Sequence, residues 1–306
     1  MSAWWLRNRQ RILQFVGTIL AIGLLMLLLK DEQWHEILNT FGKIKPTDLL
    51  WVALLFLIGR IATVGRWYVL LRSGGIDMSF KDSMALTFTS LFASNFLPTT
   101  VGGDVVRLAG AMQMGFDRAV CLASIAADRL IGMLGMSMIA PIGLAYSWSV
   151  LQLGGSFSFI VFLQKPIAFL KRTLSVFGVW LKKPVSLLGS LACSWVNMLC
   201  LFSSIYILIV GFGSHVSFWM IAGLWSLTYF ITLMPISING YGVQELAFTF
   251  LMSHVAELSP AVSLSVVVLI RAYQVLSSLP GAFFLPSILS AMAEQKKEIA
   301  STNILL

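Results

Sequence analysis

Charged residues are scarce in this sequence. Only 11% of its 306 residues are charged and 58% are hydrophobic, whereas roughly a quarter of an average soluble domain is charged. Histidine and cysteine are also rare, with three of each. The histidines stand alone and the cysteines lie inside apolar runs, so we expect neither a metal site nor a disulfide framework. These shortages exclude an ordinary soluble domain, and no cofactor is expected.

The charge that is present is mostly basic, with a formal net charge of +8. Its placement argues against a nucleic-acid partner, because the basic residues lie before the first apolar run, in the loop 165–183 and near the end of the chain. Basic residues in short loops hold those loops in the cytoplasm. We therefore expect a multi-pass protein of the cell inner (cytoplasmic) membrane with cytoplasmic N- and C-termini.

Long apolar runs follow one another along the sequence. Stretches of about 18 or more apolar residues predict membrane-spanning helices, so the expected fold class is all-α, a polytopic membrane protein with about six full spans. The first run has no small-residue cleavage site after it and is interpreted as an uncleaved span. The full spans are predicted at 12–29, 49–71, 119–145, 148–164, 185–211 and 261–285.

Two further apolar regions are broken in the middle. The stretch 84–97 ends at Pro98 and would rise only about 21 Å as a helix, less than the roughly 30 Å of a hydrocarbon core. A second short stretch ends at Pro235 and restarts after Gly240 and Gly242. Two short helices joined by a broken turn predict a re-entrant hairpin, which needs protein or a cavity around its open backbone.

The two broken regions also resemble each other. One reads SLFASNFLPTTVGGDVVRLA and the other SLTYFITLMPISINGYGVQELA, and each is followed by a span with an embedded arginine. The loop charges predict that the hairpins enter from opposite faces, an inverted-repeat arrangement that many transporters use to build a substrate site near the midplane.

We expect a single transmembrane domain organised around this repeat. Its predicted parts are a first half at 12–164 with the hairpin 84–114, a basic amphipathic interfacial segment at 165–184, a second half at 185–290 with the hairpin 218–255, and a cytoplasmic tail at 291–306.

Arginines exceed acids within the apolar regions. Burying a charge at membrane depth costs about 2.5–3.5 kcal/mol on insertion scales. One interpretation is structural pairing, of Asp128 with Arg129 or Arg271 and of Asp104 with Arg107, while Arg66 snorkels to the interface. The other is a cavity that receives an anion, since the planar guanidinium pairs bidentately with phosphate. The arginines are Arg60, Arg66, Arg107, Arg129 and Arg271, and the acids are Asp104, Asp128 and Glu245.

The first break adds to the anion interpretation. Gly102 and Gly103 would let the backbone approach a ligand closely, and the helix that starts at Asp104 would point free amide donors at it. The alternative is that Asp104 simply caps that helix. We predict that Arg107, Arg129 and Arg271 face one shared polar cavity together with Glu245.

These segments are similar to a known family. NFLPTTVGGDVVR, the later Asp-Arg pair and MPISINGYGVQELAF resemble the flippase-like family typified by the transmembrane region of bacterial lysylphosphatidylglycerol synthase (multiple peptide resistance factor), over roughly residues 12–290. The resemblance implies an integral membrane protein associated with lipid or glycolipid translocation. By motif it marks Asn95, Pro98, Gly102, Gly103, Asp104, Arg107, Asp128, Arg129, Pro235, Gly240, Gly242 and Glu245.

The resemblance has one departure. Lysyl-transferring members carry a large soluble C-terminal domain, whereas this sequence ends shortly after its last predicted span. We therefore expect no synthase activity and, without a catalytic constellation, no enzyme.

The function that these features favour is a flippase or transporter for an anionic, phosphate-bearing lipid or a polyprenyl-phosphate-linked glycolipid. An accessory or regulatory subunit of a cell-envelope lipid pathway and an intramembrane lipid-modifying transferase are the alternatives. Because no nucleotide-binding GxxxxGK[ST] motif is present, transport would be passive, coupled to an ion or driven by a partner. Asp128 or Glu245 could carry a proton. Besides membrane lipids, an envelope-biosynthesis protein or a second copy of the chain is the expected partner.

Overall fold

The structure, a computed structural model, describes residues 42, 44–97, 102–153, 183–234 and 237–286. These residues form eight α-helices and two short 3₁₀ turns and contain no β-strand, so the predicted all-α class is confirmed for them. The helices are α1 (Pro46–Ser73), α2 (Phe80–Ser94), α3 (Gly102–Gln113), α4 (Arg118–Leu153), α5 (Pro184–Gly211), α6 (Phe218–Thr232), α7 (Val243–Val255) and α8 (Pro260–Leu276), and the turns are Ile238–Gly240 and Leu279–Phe283.

Four of the described helical segments are long and apolar enough to cross a membrane. They are α1, the part of α4 up to Trp148, α5, and α8 with the turn that follows it, and their mean hydropathy lies between 1.6 and 1.9. The shortest has 24 residues and so rises about 36 Å, more than a hydrocarbon core of about 30 Å. The chain is therefore an integral membrane protein.

The other four helices are much shorter. The pair α2 and α3 has 15 and 12 residues, and the pair α6 and α7 has 15 and 13 residues, which corresponds to about 18–23 Å each. The two helices of the second pair begin at the predicted residues, Phe218 and Val243. Both prolines that were expected to break the pairs, Pro98 and Pro235, lie outside the described residues.

One predicted boundary is wrong. A separate span, 148–164, was expected to start at Trp148 and cross back through the membrane, but α4 continues without a break to Leu153. No glycine or proline occurs between Ala145 and Leu153, so nothing in the sequence ends the helix there. The predicted first span at 12–29, the interfacial segment up to residue 182 and the tail at 291–306 lie outside the described residues.

Helices α1 and α5 pack antiparallel along their whole length. At one end Lys183 Nζ donates a hydrogen bond of 2.6 Å to the carbonyl oxygen of Ser73. At the other end Gly211 lies against Asp48, and in the middle Gly59 lies against Asn197. The centres of the two spanning helices therefore face each other.

The two halves of the chain also meet where α4 crosses α6. Gly143 of α4 and Gly223 of α6 bring the two backbones into contact, because neither carries a Cβ. Buried apolar side chains pack around both short pairs. Around the first short pair they include Trp67, Leu71, Leu86, Ala93, Val106 and Ile125, and around the second pair Trp225, Phe248, Met252, Leu264 and Ile270.

Candidate functional site

Five charged side chains from α1, α3 and α4 form a network in which arginine and aspartate alternate. Arg66 Nε lies 2.6 Å from Asp128 Oδ1, and Arg107 Nη1 lies 3.2 Å from Asp128 Oδ2. Arg107 Nη2 lies 4.0 Å from Asp104 Oδ1, and Arg129 Nε lies 2.7 Å from Asp104 Oδ2. We call these five residues the first network.

The centre of the first network is buried. Asp104, Arg107 and Asp128 are 7%, 4% and 3% exposed. The Arg107 guanidinium also lies over the ring of Trp67, 4.7 Å from its centroid, a cation–π contact that stabilises a desolvated cation. Among the described residues, Arg107 Nε has no hydrogen-bond partner. Arg107 is thus enclosed by two carboxylates and an indole.

The ends of the first network differ in exposure. At one end the Arg66 side chain is 12% exposed and donates from Nη1 to Ser194 Oγ at 2.9 Å. At the other end the Arg129 side chain is 40% exposed. Three arginines against two aspartates leave the first network with one positive charge in excess, and Arg129 is its most exposed arginine.

Helix geometry explains how these residues are distributed. Asp104 and Arg107 are three residues apart on α3 and share a face. Asp128 and Arg129 are neighbours on α4 and point about 100° apart, so Asp128 reaches Arg66 on α1 while Arg129 reaches the start of α3.

The expected pairing of Asp128 with Arg129 or Arg271 is therefore wrong, and Asp104 lies closer to Arg129 than to Arg107. The expected snorkelling of Arg66 is also wrong, because Arg66 points inward to Asp128.

A second ion pair joins α7 to α8. Arg271 Nε lies 2.9 Å from Glu245 Oε1, and the other oxygen of Glu245 accepts a hydrogen bond of 2.8 Å from the backbone N–H of Gly242. The Arg271 guanidinium lies over the Tyr241 ring, 4.7 Å from its centroid. Its remaining nitrogens donate to the carbonyl oxygens of Asn239 and Gly240 at 3.4 Å. Arg271 therefore holds the turn that precedes α7.

The glycines of the two breaks have different roles. Gly240 and Gly242 have φ values of 73° and 79°, a region that glycine adopts without a steric cost. Gly102 instead packs against Leu97, just after α2, and Gly103 packs against α2 itself, where a Cβ would overlap Ser90 and Ser94. The structure explains the first glycine pair by helix packing, whereas the sequence suggested close approach to a ligand.

Arg60 lies apart from both ion-pair groups. Its Nε donates to Ser277 Oγ and its Nη2 to the carbonyl oxygen of Gln274, both at 2.9 Å. It faces a cavity of about 110 Å³ between α1, α5 and α8, which we call the central cavity. The residues that line it are Leu55, Phe56, Gly59, Arg60, Asn197, Cys200, Leu201 and Gln274.

Asn95 connects the two halves of the chain. It ends α2, and its Nδ2 donates a hydrogen bond of 2.9 Å to Ser278 Oγ beyond the end of α8. Asn95 thus fixes the first short pair against the second half.

The geometry brings most predicted site residues into two groups. Arg107, Arg129, Asp104 and Asp128 meet in the first network, whereas Arg271 pairs with Glu245. That all of them line one shared cavity stays a prediction. In the part of the chain that the structure describes, no group of three or more His, Cys, Asp or Glu side chains comes together to hold a metal ion.

Sequence reasoning missed four contributors to these groups. Arg66 was noted but assigned to the membrane interface, Trp67 and Ser194 were not noted, and Tyr241 was seen only as part of the glycine break. Tyr241 lies inside the glycine break next to Gly242, so its position was a usable signal. The other two residues are ordinary in a membrane helix, and nothing in the sequence distinguishes them.

The comparison with protein families agrees with this architecture. The family model described as "Lysylphosphatidylglycerol synthase TM region" matches residues 14–281 and thus includes the first network and the Arg271–Glu245 pair. No curated protein matches the chain. A match over most of the sequence shows the family: the chain belongs to the lysylphosphatidylglycerol synthase TM region family and is a membrane protein related to lipid handling.

Proposed function

We propose that this protein moves an anionic, phosphate-bearing lipid between the two leaflets of its membrane. The observation that carries the proposal is the single positive charge in excess in the first network, which is presented at Arg129, its 40% exposed end. The remaining arginines of the network are 12% and 5% exposed at the side chain. A headgroup phosphate would therefore contact Arg129.

The depth of Arg129 makes this contact useful for crossing. Arg129 lies eleven residues after Arg118, where α4 begins, or about 16 Å along the helix. A phosphate in hydrocarbon loses its water and pays a large desolvation cost. A guanidinium at that depth replaces part of the lost water with charge-assisted hydrogen bonds, which are about twice as strong as neutral ones. The network thereby lowers the barrier for an anionic headgroup.

We further propose that α2–α3 and α6–α7 are re-entrant hairpins that enter from opposite faces. Their helices have 12 to 15 residues, too few to cross comfortably. The first pair follows the end of α1, and the second follows the end of α5, which packs antiparallel to α1. Two hairpins that enter from opposite membrane faces support an alternating-access mechanism around a substrate site near the midplane of the membrane.

The decisive test is transfer in proteoliposomes. Purified protein is reconstituted into vesicles with fluorescent phosphatidylglycerol or fluorescent phosphatidylcholine, and loss of inner-leaflet lipid is followed by chemical quenching from outside. We expect faster transfer of phosphatidylglycerol than of phosphatidylcholine. Arg129→Gln should slow phosphatidylglycerol transfer about tenfold, the size of one lost charge-assisted contact. Arg72→Gln is the control, because Arg72 is 53% exposed and paired with Asp77 at the end of α1.

Two results would count against the proposal. Equal rates for both lipids, or an unchanged rate in Arg129→Gln, would remove the headgroup from the mechanism. No transfer by the purified protein, in a preparation that melts cooperatively, would favour the accessory role in a cell-envelope lipid pathway.

A further inference from the structure

The central cavity lies at the mid-depth of the helical bundle. Arg60 is fourteen residues after Pro46, where α1 begins, and Asn197 is fourteen residues before Gly211, where α5 ends. Each is therefore about 21 Å of helix from the same end of the bundle. Gly59, next to Arg60, lies against Asn197. A polar cavity at this depth is surrounded by apolar helix surface.

The polar groups of the central cavity have unused hydrogen-bonding capacity. Arg60 uses Nε and Nη2 for Ser277 and Gln274, while Nη1 has no partner among the described residues. The side-chain amides of Asn197 and Gln274 likewise form no hydrogen bond to described residues, although both line the cavity. Three groups with N–H donors therefore surround one small space.

The charge of Arg60 is also unbalanced. None of the six described ion pairs includes Arg60, and the cavity lining contains no acidic residue. A charged arginine at mid-depth costs about 2.5–3.5 kcal/mol on insertion scales. An anion in the cavity would offset this cost and would accept hydrogen bonds from the arginine and the two amides.

We propose that the central cavity is a binding site for a phosphate oxyanion. Its volume of about 110 Å³ is enough for several water molecules or for one phosphate group. The remaining lining is largely apolar and includes Leu55, Phe56 and Leu201, so the acyl chains of a lipid whose phosphate enters the cavity would meet apolar side chains there. The site is separate from the first network and does not depend on the proposed transfer.

Native mass spectrometry of the full chain in detergent tests this site. The probes are phosphatidylglycerol, phosphatidylcholine and inorganic phosphate, each titrated alone. We expect Arg60→Gln to weaken phosphatidylglycerol retention about tenfold, as expected for one lost contact to a charged group, while the exposed Arg72→Gln on the same helix leaves retention unchanged. Gln274→Met keeps the length of the side chain and the backbone carbonyl, so it should weaken retention by a smaller factor without changing the charge.

The probes identify the source of the phosphate. Arg60-dependent retention of phosphatidylglycerol without retention of inorganic phosphate supports a lipid ligand, and equal dependence for inorganic phosphate supports a free anion. Retention that is the same in the wild-type protein, Arg60→Gln and Gln274→Met would overturn the proposal and leave a water-filled cavity. If Arg60→Gln fails to fold, Gln274→Met decides alone.

Arg129→Gln separates this inference from the proposed function. We expect the Arg129→Gln protein to retain the lipid that depends on Arg60, even where transfer is lost. Loss of all retained lipid in Arg129→Gln, with full retention in Arg60→Gln, would overturn the central-cavity site and leave the transfer proposal standing.

Discussion

Arg129 Nε lies 2.7 Å from Asp104 Oδ2, and the second half of the chain repeats this contact between Arg271 Nε and Glu245 Oε1 at 2.9 Å. Each acid is the third residue of its short helix, and each arginine lies on the long helix that follows the pair. In the two similar sequences, Arg107 and Glu245 stand nine and ten residues after Pro98 and Pro235, so the sequence alone makes them nearly equivalent. The contacts instead make Asp104 the counterpart of Glu245.

The repeated contact has an electrostatic reason. A carboxylate in the first turn of a helix is stabilised by the partial positive charge of the N-terminus, and an arginine from the next helix then ties that turn in place. This tie matters most for short helices, which are marginal in isolation. The two pairs therefore fix the starts of α3 and α7.

We predict that the Arg271–Glu245 pair stabilises the fold and that its two residues are energetically coupled. Removing one partner of a buried pair costs about 3–5 kcal/mol, because it leaves an uncompensated charge. Arg271→Gln should therefore lower the melting temperature in detergent, and adding Glu245→Gln should restore part of the loss. If the drop in melting temperature of the double variant equals the sum of the drops of the two single variants, the two residues are not coupled.

Arg107 and Arg129 should respond differently to the same conservative change. Lysine cannot bridge two carboxylates as a guanidinium fork does, and Arg107 is 4% exposed between Asp104, Asp128 and the Trp67 ring. Arg107→Lys should therefore lower the melting temperature more than Arg129→Lys. In the transfer assay, Arg129→Lys should slow the transfer of phosphatidylglycerol without a matching loss in melting temperature. Equal melting losses for the two variants would contradict this division of roles.

The crossing of α4 and α6 should not accept even one added methyl group. A Cβ on Gly223 would lie 2.6 Å from the Cα of Gly143, and overpacking of this kind costs about 1–3 kcal/mol. Gly223→Ala should lower the melting temperature. Gly189→Ala on α5 is the matched control, since its nearest neighbour is at 3.9 Å and alanine favours the helix. Equal melting temperatures for the two variants would mean that the helices separate at no cost.

The sequence predicted the features that depend on local pattern. Apolar run length separated the long helices from the short ones, and the Gly240–Gly242 break placed the start of α7 at Val243. The same reasoning failed at Trp148, where a separate span was predicted to start although no residue breaks the helix there.

The pairing of charges could not be predicted in this way. Arg66 and Asp128 are 62 residues apart, and Arg60 and Ser277 are 217 apart. Which arginine meets which acid depends on how the helices rotate and pack, and composition contains no information on that. The set of charged residues was visible in the sequence, but their division into two groups was not. Which of them bind substrate stays a prediction.

The hairpin arrangement predicts a definite labelling pattern. Asp77 and Met114 flank the first short pair, and His215 and His254 flank the second; all four are exposed. Single cysteines at these positions would be placed in a background with Cys121, Cys193 and Cys200 changed to serine, after the background has been checked for cooperative melting. An impermeant thiol reagent should label positions 77 and 114 from one side of sealed vesicles.

The same reagent should label positions 215 and 254 only from the other side. The reason is that α1 and α5 are antiparallel, so the loops after their ends lie on opposite faces, and each short pair returns to the face it entered. Labelling of 77 and 114 from opposite sides would make the first pair a full crossing and would remove the inverted repeat. Labelling of all four from one side would keep two hairpins but place them on the same face, and alternating access between them would then lose its structural basis.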